Sequence, residues 1–365
     1  MTRPRIPSSS PAPRDDAAAV RAAVDRVLAS GWFILGPEVE AFEGEFAAAS
    51  GAAYGIGVGN GTDAIAIILR ALGIGPGDEV ITSPLSAAYS ALAIMMAGAR
   101  PVFADIEPES LTLDPAATAA AITRRTRAIL PVHLYGQAAD MQALGKVAAD
   151  HGLALVEDCC QAHMATAGGT PVGTIGVAGA FSFYPTKNLG ALGDGGAIIT
   201  SDSALAEKAR LIRNGGQTDR YHHELVGVNS RLDEMQAAIL RARLTFLPAW
   251  TASRRRIAAK YRRGLSKTAV QIVRERDAGH VYHLFVIRAN ERARLQQHLR
   301  SRGIETLVHY PIPIPEQVAM RAQDPRECPI ATAACRQVLS LPIYPALADA
   351  DVDDVIDAIS SFREE

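Results

Sequence analysis

Three absences narrow the reading of this chain before any motif is considered. It has no uninterrupted apolar run of about 18 residues and no charged-then-apolar leader. A membrane span is therefore not expected, and a soluble, cytoplasmic protein is. Cysteine is scarce, with four in 365 residues. Cys159 and Cys160 are adjacent, Cys328 and Cys335 lie seven apart, and neither pair has zinc-finger spacing. Reduced structural thiols are the expectation. An excess of one charge is also missing: 37 Lys and Arg face 39 Asp and Glu, a formal net charge of −2. That balance gives no global field for nucleic acid or for an anionic membrane. Internal repeats and a dinucleotide fingerprint are absent too, since the glycines of GIGVGNG fall at every second position and GALGDGG does not match either.

What is present is apolar substance, 48% of the residues, enough for one large or two medium cores. The opening TRPRIPSSSPAPRDD reads as a loose arm over residues 1–16. Val20, Val24, Val27 and Leu28 then recur at helical spacing over Ala17–Ser30, and Gly31 stops the pattern. Glu38–Ser50 reads as a second helix, with Phe42 and Phe46 four apart. From about residue 54, short apolar runs alternate with helical segments: YGIGVG, EVITSP, RPVFADI, AILPVHLYG, LALVED, AFSFY and AIIT are the strand candidates. Such alternation predicts an α/β domain with a mostly parallel sheet buried on both faces, here over residues 17–245. SRLDEMQ…YRRGL reads as one long helical connector, and the solvated face of a helix is the expected role of its RRRIAAKYRR stretch. Residues 246–365 read as a smaller α+β domain. Trp32 and Phe33 are read as packing residues, or else as lining the pocket of a partner subunit.

Ligands of open α/β sheets gather beyond the carboxyl ends of the strands. After YGIGVG comes Asn60-Gly61-Thr62-Asp63, opening a helix whose free amides and dipole suit a phosphate. After LALVE comes Asp158, a carboxylate that needs a partner if buried. Gln161 and His163 follow on that turn. After AFSFY comes Lys187, alone among apolar residues and glycines. A lysine on a pocket floor loses solvation, its pKa falls, and its neutral amine becomes a nucleophile. A phosphate cradle, an acid and an amine together fit pyridoxal 5′-phosphate.

These motifs, in this order, carry a resemblance. FILGPEVEAFE, NGTDA, GIGPGDEVIT, PVHLYGQAADM, EDCCQAH, FSFYPTKNLGALGDGGA, GVNSRLDEMQAAIL and HYPIPI span nearly the whole chain. Together they resemble the sugar aminotransferases of the DegT/DnrJ/EryC1/StrS family, with the aspartate-aminotransferase type fold. FYPTKNLGALGD with NSRLDEMQAAIL is most similar to the branch that aminates nucleotide-linked keto-deoxy sugars, often at C3. The resemblance implies that Lys187 is the Schiff-base lysine, Asp158 the partner of the ring nitrogen, and Gln161 a hydrogen-bond partner of the ring's phenolic oxygen. It implies Gly61, Thr62, Asp63 and Ser182 as phosphate ligands, with Asn229 reaching that phosphate from the second subunit of a homodimer. His309, Tyr310 and Tyr184 would line the sugar pocket, and Arg220 would meet a diphosphate. Glutamate would be the amino donor.

The match also has departures. The aromatic expected from the resemblance to stack on the cofactor ring is replaced in SPLSAAYSA by Ala87 or Ala88, so that either Tyr89 takes its place with a local shift or the ring face is covered differently. Met164 stands where a glycine often follows the histidine, and Pro315-Glu316 follows HYPIPI. A lyase of the same cofactor class would carry histidine in place of Lys187, and a non-catalytic sugar sensor would carry an added DNA-binding domain. No metal is expected, because His222-His223-Glu224 lacks both the HExxH spacing and a third ligand.

Overall fold

The computed structural model describes residues 4–321, 324 and 326–363. Its frame is a seven-stranded sheet in the order Tyr54–Val58, Gly196–Thr200, Ala178–Ser182, Ala154–Asp158, Thr126–Leu130, Glu79–Thr82, Arg100–Phe103. Gly196–Thr200 pairs antiparallel with both neighbours, and the other pairings are parallel. The parallel strands are short and almost wholly apolar because helices cover both faces. Ile56, Val58, Val80 and Val156 are fully buried against the helix Gly61–Ala71, which contributes Ile65 and Ile68. On the other face, Ile81, Val102 and Ile129 pack against Met141 and Leu144 of the helix Met141–His151.

Helix starts follow local capping chemistry. The Asp140 and Asp202 side chains accept from the amides three residues on, at Ala143 and Leu205. Helix Ala17–Ser30 ends where expected, on Gly31 in the left-handed region. The expected single connector is two helices, Glu234–Leu244 and Leu247–Leu265. Pro248 sits in the first turn of the second, where its missing amide costs nothing, so the helix restarts there.

The C-terminal part is built on a three-stranded antiparallel sheet, Gln271–Ile272, Phe285–Arg288 and Val338–Leu341. Leu295, Leu299, Val352 and Val355 pack on it from the helices Arg292–Ser301 and Asp349–Ser360. The N-terminal arm differs from the expectation of a loose segment. Ile6 is fully buried and bridges Ile304, and the Ser8 amide and hydroxyl both donate to Glu305. Asp16 forms a buried ion pair with Arg243 at 2.7 Å. One buried isoleucine, two bonds from Ser8 and the Asp16 ion pair dock the arm.

None of the helices among the described residues is long and apolar enough to cross a membrane.

Candidate active site

The carboxyl edge of the sheet collects the site. Asp158 ends its strand with its backbone held on both sides: its amide donates to Pro131 and its carbonyl accepts from His133. Its carboxylate is 5% exposed and braced twice. Ser90 Oγ donates to Oδ2 at 2.7 Å, and the Cys160 amide donates to Oδ1 at 3.1 Å. Each oxygen keeps a further lone pair for a cation. Beneath it, Glu157 accepts from the Gly173, Ile175 and Gly176 amides and pairs with His133. His133, Glu157 and Cys159 have ligand atoms close enough for a metal, but the His133 and Glu157 lone pairs are taken by protein donors. They form a buttress under Asp158.

Gln161 is buried on the same turn. Its Oε1 accepts from the Tyr135 amide at 2.7 Å, and its Nε2 donates to Tyr310 Oη at 3.0 Å. Tyr310 is thereby carried from the C-terminal part onto the floor of the site, where burial pushes its phenol up to about 12. The Ala87 amide also reaches that phenol.

Lys187 follows the strand Ala178–Ser182 in a turn closed by its own amide on the Tyr184 carbonyl. Burial lowers its pKa, and the proximity of Cys160 and Asp158 opposes the shift. The amine is thus drawn toward its neutral, nucleophilic form. Cys160 lies beside it, and burial keeps that thiol protonated. His163 is fully buried between Phe181 and Phe183, held down to about 3 by burial and by Lys187.

Asn60 opens the helix Gly61–Ala71, its side chain accepting from the Asp63 amide at 2.9 Å. The first intrahelical bond runs from Ala64 to Asn60, so the Gly61 and Thr62 amides precede it and point out of the helix end. A Cβ on Gly61 would lie 2.6 Å from Cys160 Sγ and 2.8 Å from Ser182 Cβ. Gly196 is pressed on Asn60 in the same way, its added Cβ 2.4 Å from that carbonyl. The cradle is therefore closed to side chains and lined by amides and the Ser182 hydroxyl. Asp63 departs from its expected role. Its amide caps the helix, and its carboxylate accepts from Asn60 and from Ser230 Oγ at 2.7 Å, so it stiffens the cradle and presents no donor to it.

Of the remaining expected residues, His309 lines the cavity beside Lys187. His309 is bonded to Ser340 at 2.8 Å and lowered to about 4 by burial and by Lys187. Tyr184 and Tyr89 are largely exposed. Tyr89 heads its helix beside Ser90, after Ala87 and Ala88. Arg220 and Asn229 lie on exposed segments of the single chain; Asn229 precedes Ser230, which does touch the cradle. Trp32 and Phe33, expected to pack, are about half exposed. In RRRIAAKYRR, Arg254 is buried, against the expectation of a solvated face.

Ser90, Cys160, Ser230 and Tyr135 were not legible as site residues. Ser90 and Asp158 are 68 positions apart, and neither pattern nor spacing links them.

An amine made nucleophilic by burial, a braced carboxylate and an anion cradle on one sheet edge fit pyridoxal phosphate. Fold and site together define a pyridoxal-phosphate-dependent aminotransferase. The DegT/DnrJ/EryC1/StrS aminotransferase family model matches residues 14–360, and the chain belongs to that family. It is 48% identical over 347 residues to dTDP-3-amino-3,4,6-trideoxy-alpha-D-glucose transaminase of Streptomyces venezuelae, covering 94% of this chain and 92% of that one. The crystal structure of S. venezuelae DesV with a ketimine intermediate superposes with a TM-score of 0.96 at 47% identity, covering 98% of each chain. NtdA from Bacillus subtilis, solved with the cofactor PMP, superposes with a TM-score of 0.90 at 31% identity, covering 98% of this chain and 86% of that one.

Proposed function

We propose that this aminotransferase moves the amino group of glutamate to the keto carbon of a sugar linked to a nucleoside diphosphate, and that it acts as a homodimer. The observation that carries the reading is the placement of Lys187: an amine depressed by burial, beside Asp158 and within reach of the cradle. When bound, pyridoxal phosphate supplies an electron-withdrawing ring and a carbon that carries the amino group between the two substrates. The residues of the chain do the rest. Gly61, Thr62 and Ser182 hold the phosphate; Asp158, fixed by Ser90, keeps a proton on the ring nitrogen; Gln161 faces the ring's phenolic oxygen. Lys187 Nζ takes the proton from the donor's Cα as general base.

The sugar class comes from the similarity to the S. venezuelae transaminase. The rim supports it, since Tyr184, His309 and Tyr310 offer two phenols and an imidazole to hydroxyl groups, and Arg220 offers a charge to a diphosphate. The dimer is supported by Trp32, Phe33 and Leu192, half-exposed apolar groups flanking the start of the helix Glu234–Leu244. A second copy covering them would bring its Asn229 toward this cradle. The test is incubation with glutamate and a panel of keto sugar nucleotides, with products read by mass. A gain of an amino group on one nucleotide sugar supports the reading, and amination of free keto acids alone overturns it. Mixing Asn229→Asp with Lys187→Ala subunits should restore one intact site per heterodimer. Confirmed heterodimers without activity would count against the shared site.

A further inference from the structure

Tyr135 is a bulky residue held where bulk is disfavoured. It lies in the turn Leu134–Gly136, beyond the strand Thr126–Leu130, with φ 62° in the left-handed region and only 3% exposed. A residue with a large side chain stays in that region only where its surroundings over-determine it, and such residues cluster at functional sites. Here the surroundings hold every polar group that Tyr135 has. Its amide donates to Gln161 Oε1 at 2.7 Å, its carbonyl accepts from the Leu284 amide at 3.2 Å, and its hydroxyl donates to the His309 carbonyl. Burial pushes the phenol well above its ordinary range, so the hydroxyl keeps its proton and remains a donor.

These bonds close a circuit. Gln161 Nε2 donates to Tyr310 Oη at 3.0 Å, and Tyr310 follows His309 in the chain. The path from the Tyr135 amide through Gln161 and Tyr310 therefore returns to the Tyr135 hydroxyl. The circuit decides which way the Gln161 amide points. A backbone N–H only donates, so Oε1 faces Tyr135 and Nε2 faces Tyr310. One Nε2 hydrogen goes to the phenol, and the second is left to donate. Gln161 is thus set as a donor by two tyrosines, one at the carboxyl edge of the large sheet and one from the C-terminal part.

We infer that Tyr135 is a positioning residue of the transamination: its hydroxyl fixes the His309–Tyr310 segment, its amide fixes Gln161, and together they aim the free Nε2 hydrogen of Gln161 at the cofactor's phenolic oxygen. The inference rests on the transaminase reading above. It adds a residue that ties the setting of the cofactor to the segment read as lining the sugar pocket, and that acts through its neighbours.

The test reads the cofactor-loaded protein by its absorbance. A donor on the phenolic oxygen favours the form in which that oxygen carries the full negative charge. Loosening the donor should therefore raise the pH midpoint of the lysine-linked cofactor's visible band. Tyr135→Phe removes only the hydroxyl and should raise that midpoint by about half a unit, part of the worth of one hydrogen bond. The groups that face the Lys187 amine, namely Cys160, Asp158, His163, His283 and His309, are all retained in the variant. A merely structural role would slow turnover and leave the midpoint in place, and that result overturns the inference. Tyr310→Phe should also raise the midpoint, and adding Tyr135→Phe to it should move it little further, because both open one circuit. Fully additive shifts overturn the inference as well. Circular dichroism checks the fold. Should Tyr135→Phe not fold, Tyr310→Phe decides alone, with a raised midpoint expected and an unmoved one against the inference. The two readings separate. An unmoved midpoint in a variant whose cofactor glutamate still aminates sinks the inference and leaves the transaminase standing. A raised midpoint in a protein that reacts with no amino donor does the reverse.

Discussion

The floor of the site and its rim are built on different terms. On the floor, the acidic and amide groups have assigned neighbours: Asp158 is held by Ser90 and Cys160, Gln161 by Tyr135 and Tyr310, and Asp63 by Asn60 and Ser230. Tyr89, Tyr184, Arg220 and Asn229, the rim on the reading above, stand exposed. The contrast has a physical reason. Electrostatic groups that act on bond-making must be in place beforehand, which takes a buried, bonded setting. On the reading above, the groups that choose a sugar are completed by the ligand and by a second subunit. Chemistry is therefore expected to be brittle toward substitution at the floor, and substrate choice to be adjustable at the rim.

The largest loss should come from Lys187→Ala. It removes both nucleophile and base, and turnover should fall roughly 10⁴-fold or more. The visible band of the lysine-linked cofactor should vanish, while cofactor still binds through the cradle. Persistence of that band would mean that another amine does the work. Asp158→Asn should cost on the order of 10²-fold or more in kcat, because an amide does not hold the ring proton. Near-normal turnover with a normal spectrum would place Asp158 among merely structural groups.

Ser90→Ala sharpens the comparison, since the Ser90 hydroxyl donates to the Asp158 carboxylate. Loss of one hydrogen bond to a charged group is worth about 1.5–3 kcal/mol, or roughly ten- to a hundredfold in rate. The absorbance of the bound cofactor should shift with pH in the variant as its ring proton loosens; an unshifted pH profile would contradict the positioning role. At Ala87 the effect should be smaller and of opposite sign. Ala87→Tyr puts an aromatic at the position where the resemblance expects one and should tighten cofactor binding by about 0.5–1.5 kcal/mol, measured by equilibrium dialysis. Weaker binding would show that Tyr310, which lies against the Ala87 amide, already fills that space.

How much of this could be read from the chain alone follows the same division. The cradle, Asp158 and Lys187 each sit at the end of an apolar run, so local pattern located them. Gly61 stood out by type, and its crowding against Cys160 and Ser182 explains the type. What escaped the reading depends on residues far apart in sequence. Ser90 reaches Asp158 and Ser230 reaches Asp63 only once the sheet is assembled. Arg254 looked like one more charge on a basic helix face, because helical spacing says nothing of the carbonyls of Tyr282, His283 and Ile343 that bury it. The docking of Ile6 on Ile304 spans nearly the whole chain and has no local signal. Tyr89 was one expected substitute for the missing aromatic, the other being a ring face covered differently, and it is exposed in the single chain.

The central claim is that Lys187 and its floor exchange an amino group with an amino acid, and a single-turnover spectrum with glutamate and no sugar tests it directly. The account predicts loss of the visible band of the lysine-linked cofactor, with one 2-oxoglutarate released per site. Because burial lowers the Lys187 pKa, the rate should rise with pH and level off below the ordinary lysine range. An unchanged band with glutamate, and equally with glutamine and other amino donors, would contradict the account.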